Sequence, residues 1–449
     1  MLKCRYFLCT SLMALALMVF LPAFGQAANT TTMKDTVQKT IGYNPTIKGF
    51  QEYRQAAQHD LRRARSDWFP RVDLRAGYGA ERWNDTVTRN RQNGQDTKTY
   101  YDRSTVSATI SQIIWDGMAT WNRVTLSEQR LDSAQSRLFD NTEALSLDAL
   151  LAHIEVYRQT RLLALADLNV KNHERILSSQ FARQRSGAST MADVTQTQSR
   201  LTRTQATKVD TQSALEIASA NYERLTGTIP TNLETPAAPE RAHASLEDAI
   251  TRAHSGNYKI KALQSDFEAS KTQVELDKAP FHPTVTLDLG QDYNWRVQSA
   301  DTYSYGTSLM LNVNWNLFRG GYDWYNVKGD RARSRQSHNE LLAQNDAITE
   351  ETSATWSQLI SAREQVKFFT DGVKFATRTR DMYLEQFNVG QRSLLDVLDS
   401  ENEVYTASIQ LVTAQQNVIA AQYRLLALSG DILPIFQVDR SSIAIATDK

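Results

Sequence analysis

The sequence predicts a mainly α-helical chain that also carries four amphipathic β-strands. Only 9 prolines and 18 glycines interrupt its 449 residues, so long continuous elements are expected. Residues 118–186 and 322–389 contain no proline and almost no glycine. After Pro70 and Pro283 the apolar residues instead recur at every second position, which is typical of strands. Each half of the chain is therefore predicted to combine a β-hairpin with very long helices.

The first segment, residues 1–27, has the pattern of a secretory signal peptide. Lys3 and Arg5 precede an apolar run, and small residues follow it. Both cysteines, Cys4 and Cys9, lie inside this segment. The mature chain is therefore predicted to be exported and to have no disulfide, cysteine metal ligand or cysteine nucleophile.

The rest of the chain is a duplication. A shift of 203 residues maps Gly187 onto Gly390, and a shift of 213 residues maps Asn44 onto Asn257. The ten extra residues of the first repeat fall in a polar segment, residues 83–99, which is predicted to be a variable loop. The first repeat is predicted at residues 28–227, with its hairpin at 71–115 and its long helices at 118–226. A linker at 228–244 leads to the second repeat at 245–430, with its hairpin at 284–318 and its long helices at 321–429. A C-terminal tail is predicted at 431–449.

The predicted strands have one apolar and one polar face. In the second repeat the residues that share the apolar face are Val285, Leu287, Leu289, Leu309, Leu311 and Val313. This pattern suits a soluble sandwich or a lipid-facing, water-filled barrel. Four strands are too few to close a barrel, so several chains must contribute. No apolar run after the signal segment approaches the ~20 residues of a membrane-spanning helix, so any membrane entry is expected to use the strands.

The long helices carry only a narrow apolar stripe among Gln, Arg, Asn and Ser. Each of them could extend ~100 Å at 1.5 Å per residue. A narrow stripe indicates coiled-coil packing with neighbours, with the other faces in water. An ordinary helical bundle without a pore is the alternative.

Enzyme, metal and nucleic-acid sites are not indicated. The seven histidines lack metal-ligand spacing, and the near-neutral charge gives no reason to expect a nucleic-acid partner. Asp396 and Asp399 stand three residues apart on one predicted helix face, which does not make a catalytic carboxyl pair. We expect no enzymatic activity and no cofactor.

Several short motifs together resemble the TolC family of outer-membrane channel proteins, and most closely its type I secretion branch. The resemblance covers nearly all of the mature chain. It is carried by WDG at residues 115–117, NHERIL at 172–177, ANYERLTG at 220–227, FRGG at 318–321 and the G-x5-D-V turns at Gly187 and Gly390.

The resemblance implies a homotrimer in the outer membrane of a Gram-negative bacterium. Three chains would supply four strands each to one twelve-stranded membrane β-barrel, and an α-helical coiled-coil barrel would continue it across the periplasm. The implied partners are outer-membrane lipid, a periplasmic adaptor (membrane fusion) protein and an inner-membrane ABC transporter.

The resemblance also assigns roles at the periplasmic tip. Asp396 and Asp399 would form stacked acid rings at the entrance, which favour cations. Arg392 would reach Asp193 in the first-repeat turn as a latch. Phe387 stands where a latch tyrosine can stand, and Ala192 where a hydroxyl residue can stand. The latch therefore has fewer hydrogen bonds in this chain.

The implied function is passive export of an unfolded protein, such as an adhesin or repeat toxin, from the transporter to the cell exterior. One alternative keeps the fold and pairs the duct with a proton-driven pump for drugs or metals. The other is a periplasmic coiled-coil scaffold without a pore.

Overall fold

A computed structural model of the chain describes residues 30–84, 100–240, 243–298 and 302–444. The predicted signal peptide and most of the predicted variable loop lie outside these residues. The first half contains α1 (Met33–Tyr43), α2 (Pro45–Ser66), β1 (Arg71–Glu81), β2 (Tyr101–Trp115), α3 (Ala119–Arg185) and α4 (Met191–Thr226). The second half contains α5 (Leu246–Gly256), α6 (Tyr258–Leu276), β3 (Thr284–Trp295), β4 (Tyr303–Asn314), α7 (Tyr322–Asn388), α8 (Leu394–Leu428), α9 (Ile432–Ile435) and α10 (Arg440–Ala444).

The two halves break their helices at equivalent residues. Asn44 ends α1 and caps α2, because its side-chain oxygen accepts from the backbone N–H of Thr46 at 2.9 Å. Asn257 caps α6 in the same way, with bonds from Lys259 and Ile260. Side-chain caps of this kind satisfy N–H groups that the first helical turn leaves unpaired. The pairing of Asn44 with Asn257 in the sequence is thus a repeated structural feature.

Glycines turn the chain from each hairpin into a long helix. Gly117 has φ +66°, and Gly320 and Gly321 have φ +63° and +84°. Left-handed backbone of this kind is accessible to glycine at little cost. A β-carbon at Gly117 would also lie 2.7 Å from the carbonyl oxygen of Ala279. The junction therefore requires glycine for space as well as for conformation.

The four strands form one antiparallel sheet in the order β1-β2-β3-β4. β3 and β4 pair so that Leu287 lies opposite Leu311 and Asp288 opposite Met310. Leu311 is 62% exposed, and all of β4 is exposed. The predicted apolar face of the sheet is therefore exposed to solvent in a single chain. β4 ends at Asn314, before the predicted end at residue 318.

The long helices α3 and α7 each contain 67 residues, which corresponds to about 100 Å. Away from the sheet the helices lie in the order α4-α3-α8-α7, since α3 contacts α4 and α8 while α7 contacts α8. Near the sheet, α2 and α6 contact α3, and α6 contacts α7. No helix in the described part of the chain is both long enough and apolar enough to cross a membrane.

The C-terminal segment packs into the middle of the molecule. Ile432 is fully buried in a cluster with Val37 and Leu150. The carboxyl oxygens of Glu143 on α3 accept from the backbone N–H groups of Ile432 and Leu433, at 3.1 and 3.2 Å. Ile432, Leu433 and Ile443, which lie in the predicted C-terminal tail, therefore pack against the helical body, and the buried carboxyl group of Glu143 holds the start of α9.

Candidate functional site at the helical tip

Two tight turns form the end of the molecule farthest from the sheet. Gly187 terminates α3 with φ +74°, and Gly390 terminates α7 with φ +79°. In each turn a backbone N–H closes back onto the last helical residues: Ala188 to Arg183 at 2.8 Å, and Gln391 to Gln386 at 2.9 Å. This is the hydrogen-bond pattern of a glycine-terminated helix. Both predicted repeat-turn glycines therefore lie at the same structural position.

The acids at equivalent positions of the two turns cap the following helices. The Asp193 carboxylate accepts from the Thr190 backbone N–H at 3.0 Å and from its hydroxyl at 2.8 Å. The bond from the Thr190 backbone lowers the pKa of Asp193 most, and the bond from the Thr190 hydroxyl lowers it further. Asp396 accepts from the hydroxyl of Ser393 at 2.9 Å, which matches the hydroxyl bond of Asp193 but not its backbone bond. Both acids therefore have a local structural role as N-terminal capping partners.

Arg392 makes its contacts within its own turn. Its Nε donates to the side-chain oxygen of Gln386 at 3.0 Å, and its guanidinium carbon lies 4.1 Å from the ring centre of Tyr383. One guanidinium nitrogen is 3.7 Å from Asp396. Within the described residues of one chain, Arg392 does not reach Asp193. The latch stays a prediction, and it now concerns a contact between neighbouring copies.

Phe387 belongs to the apolar core of the tip. It is buried in a cluster with Leu394, Val397 and Leu398. The guanidinium of Arg183, on the first-repeat helix α3, lies 4.5 Å from the Phe387 ring centre. A cation over an aromatic face is attracted by the negative charge of the ring face. Phe387 therefore joins the two helical hairpins of one chain by packing rather than through a hydroxyl group.

Asp399 is paired with a residue that the sequence analysis did not identify. Its carboxylate lies 3.1 Å from a guanidinium nitrogen of Arg200 on α4. Sequence periodicity could not identify the pair because its members are in different repeats. Side-chain exposure is 58% for Asp399 and 40% for Asp396. Both acids are therefore accessible to solvent at the tip of a single chain.

Glu401, two residues after Asp399 on α8, was also not identified from the sequence. It is buried and accepts from Arg380 of α7 at 3.3 Å and from Asn172 of α3 at 3.2 Å. Asn172 is the first residue of the NHERIL motif. This motif was the one feature of the sequence that pointed to the contact with Glu401. Glu401 therefore connects three helices just behind the two acids of the tip.

The predicted lipid-facing residues come together at the opposite end of the molecule. Their cross-strand pairs are Val285 with Val313, Leu287 with Leu311 and Leu289 with Leu309. On the other face, Asn312 donates a hydrogen bond to Asp288 at 2.5 Å. The sheet thus separates apolar from polar side chains as the alternation predicts.

Comparison with known proteins adds to this geometry. The chain matches the family model described as "Outer membrane efflux protein" over residues 36–228 and 249–431. It is 24% identical over 407 residues to the outer membrane efflux protein BepC of Brucella suis biovar 1 (strain 1330), covering 90% of this chain and 87% of BepC.

A second relative is the proteases secretion protein PrtF of Dickeya chrysanthemi. It is 23% identical over 437 residues, covering 93% of this chain and 92% of PrtF. Among solved structures, the outer membrane protein VceC of Vibrio cholerae superposes with a TM-score of 0.78 at 16% identity, covering 89% of this chain and 96% of VceC.

Proposed function

This chain belongs to the outer membrane efflux protein family, and from that premise we propose that it is the outer-membrane exit duct of a type I secretion system. As a family member it is an outer-membrane channel protein of a tripartite system and not an enzyme. Family membership therefore decides against the scaffold without a pore. The proposed cargo is an unfolded protein, and the energy comes from an inner-membrane ABC transporter joined by a periplasmic adaptor.

The main observation in support of a duct is the unpaired strand at each edge of the sheet. β1 and β4 are the two ends of the four-stranded sheet, and within the residues that the structure describes each has one neighbouring strand. Unpaired edge strands offer free N–H and C=O groups to another chain. We infer that β4 of one copy pairs with β1 of the next, so that three copies close a barrel of twelve strands.

The helices have matching open edges. On α7 the exposed side chains Phe368, Phe375 and Met382 recur every seven residues, and on α4 the side chains of Val209 and Ile217 are exposed. A seven-residue apolar repeat packs against a neighbouring helix in coiled coils. We infer that α7 of one copy packs against α4 of the next, which continues the barrel as a helical tunnel.

In this trimer the tip acids would surround one axis. Asp396 and Asp399 are accessible in one chain, and threefold repetition would place their carboxylates around the entrance. Rings of carboxylates favour cations in a narrow pore. The tip is therefore proposed as the gate, and the partners are proposed to open it.

Protein export is favoured as the function because the chain and PrtF, a proteases secretion protein, align over almost their full lengths. The second candidate function is efflux of small molecules by a proton-driven pump for drugs or metals. It is favoured by the similarity to BepC, an outer membrane efflux protein. Both candidates use the same duct and the same tip.

The test compares a deletion strain with its parent and with a complemented strain. We expect the culture medium of the deletion strain to lack one or a few large secreted proteins, while drug tolerance stays at the parental level. Drug hypersensitivity with an unchanged set of secreted proteins would overturn the secretion proposal and support the efflux candidate. Complementation should restore whichever property is lost.

A further inference from the structure

A cleft of about 320 Å³ lies where the second hairpin joins α7. One wall is the turn after α6, which includes the 3₁₀ segment Ala279–Phe281, and the other is the start of α7. The side chains that line it are basic or apolar: Lys278, Phe281, His282, Trp324, Lys328 and Arg331. Neither the predicted tip nor the proposed export of cargo uses this cleft.

The cleft adjoins the apolar face of the second hairpin. Trp315 follows β4 and shares the alternation of Leu311 and Val313. Its indole N–H donates to the carbonyl oxygen of Phe281 at 3.2 Å, which ties the cleft wall to that face. Trp324 is 57% exposed beside it. Exposed aromatic side chains at the end of an apolar band mark the level of lipid headgroups.

Two cations in the cleft have no acidic partner. Among the described residues, no carboxylate lies within 4 Å of Lys328 or Arg331. These residues stand three positions apart, so they share one face of α7. The amino group of Lys328 lies 4.8 Å from the ring centre of Trp324. By contrast, Lys278 is paired with Glu275.

The first repeat provides an internal comparison, because it folds in the same way but has different charges. By the repeat shift, Thr125 stands where Lys328 stands and Glu128 stands where Arg331 stands. The counterpart of Lys278 is Arg65, and it is paired with Glu128 at 2.8 Å. The first repeat thus neutralises its own cation, whereas the second repeat leaves two cations unpaired at the same level.

We propose that this cleft binds the phosphate group of a glycerophospholipid in the periplasmic leaflet of the outer membrane. Arg331 and Lys328 donate to the phosphate oxygens, since guanidinium and ammonium groups form charge-assisted hydrogen bonds with phosphate. Trp324 and Phe281 contact the glycerol and the start of the acyl chains. A trimer would hold three such lipids, all at the second-repeat junction. This inference rests on the outer-membrane location and is independent of the cargo.

The test measures lipid binding to the purified full-length trimer in detergent by native mass spectrometry, with phosphatidylglycerol as the probe. Arg331→Glu and Lys328→Thr each introduce the residue that the first repeat carries at that place. Arg363→Glu is the matched control, because it makes the same charge change about 48 Å farther along α7. Heat-resistant trimer on a gel shows which variants are assembled.

We expect the wild type and Arg363→Glu to bind phosphatidylglycerol equally. Arg331→Glu and Lys328→Thr should each bind phosphatidylglycerol about tenfold more weakly, because each variant loses one charge-assisted hydrogen bond to the phosphate. Inorganic phosphate at the same concentration should not displace the lipid. Unchanged binding in both cleft variants would overturn the proposal. Displacement by inorganic phosphate would also overturn it, since the cleft would then be a site for free phosphate.

Discussion

The carboxylate of Asp399 lies 3.1 Å from the guanidinium of Arg200, and this ion pair joins α8 of the second repeat to α4 of the first. Asp399 is one of the two acids predicted to line the periplasmic entrance. In the structure Asp399 links the two helical hairpins of one chain. In the proposed trimer the same carboxylate would also add negative charge to the entrance.

Removal of this ion pair should loosen the closed tip. Arg200→Ala is expected to raise single-channel conductance, because each chain loses an exposed ion pair of about 0.2–1 kcal/mol. Arg203→Ala, one turn along the same helix, removes an exposed arginine that has no acidic partner among the described residues and serves as the control. Equal conductance in the two variants would show that the pair does not hold the tip.

Arg392 tests the proposed latch between copies. Arg392→Ala is expected to open the tip and to sensitise cells to large antibiotics, because it removes a guanidinium that can pair with Asp193 of a neighbouring copy. Gln386→Ala removes only the hydrogen-bond acceptor of Arg392 within its own turn, and it leaves the contacts of Arg392 with Tyr383 and Asp396 in place. The measurement is antibiotic sensitivity together with conductance. If Gln386→Ala has as large an effect as Arg392→Ala, the local turn explains the result and the latch is wrong.

The buried carboxyl of Glu143 should make the thermal stability depend on pH. Burial raises its pKa to about 8, although the backbone N–H groups of Leu433 and Ile432 favour the ionised form. Its ordinary pKa is 4.5. Since the folded pKa is the higher one, the folded state is stabilised by holding the proton of Glu143. This contribution to the free energy of unfolding is fully present below pH 4.5 and is lost as the pH rises through about 8.

The measurement is the melting temperature of the wild type and of Glu143→Gln across that pH range. The wild-type melting temperature should fall with rising pH, and the variant should lose that part of the dependence. The variant should also be less stable at low pH, since one backbone N–H loses its acceptor at a cost of about 1–3 kcal/mol. A variant with the wild-type slope would contradict the role of this carboxyl.

Charge on the apolar face of the sheet should prevent assembly. Leu311→Arg places a cation where lipid is expected, at a cost of about 2–4 kcal/mol near the membrane midplane. Ser308→Arg on the opposite face of β4 is the control, and it should still assemble. The measurement is the amount of heat-modifiable trimer in outer-membrane fractions. Normal assembly of Leu311→Arg would mean that this face does not contact lipid.

The sequence was informative where structure depends on local pattern. The alternation around Leu287 and Leu311 identified the two faces of the sheet, because side chains on a strand alternate whatever surrounds them. The repeat shift likewise paired Asn44 with Asn257, since each caps a helix through its own neighbours. Caps and strand faces are set within a few residues of the chain.

Contacts between distant helices could not be predicted. Arg200 meets Asp399, and Glu143 meets the backbone of Ile432, across 199 and 289 residues of chain. Both contacts depend on how long helices are rotated and offset against one another, which their own periodicity does not fix. Phe387 shows the same limit, because its contact with Arg183 on α3 could not be predicted from its position in the sequence.

The charge selectivity of single channels in planar lipid bilayers tests the central claim most directly, namely that this chain forms a duct with Asp396 and Asp399 at its narrow entrance. We predict a small, cation-selective conductance for the wild type. In the variant with Asp396→Asn and Asp399→Asn, the reversal potential in a salt gradient should move toward zero. An unaltered reversal potential would contradict the acid entrance, and the absence of any channel would contradict the duct itself.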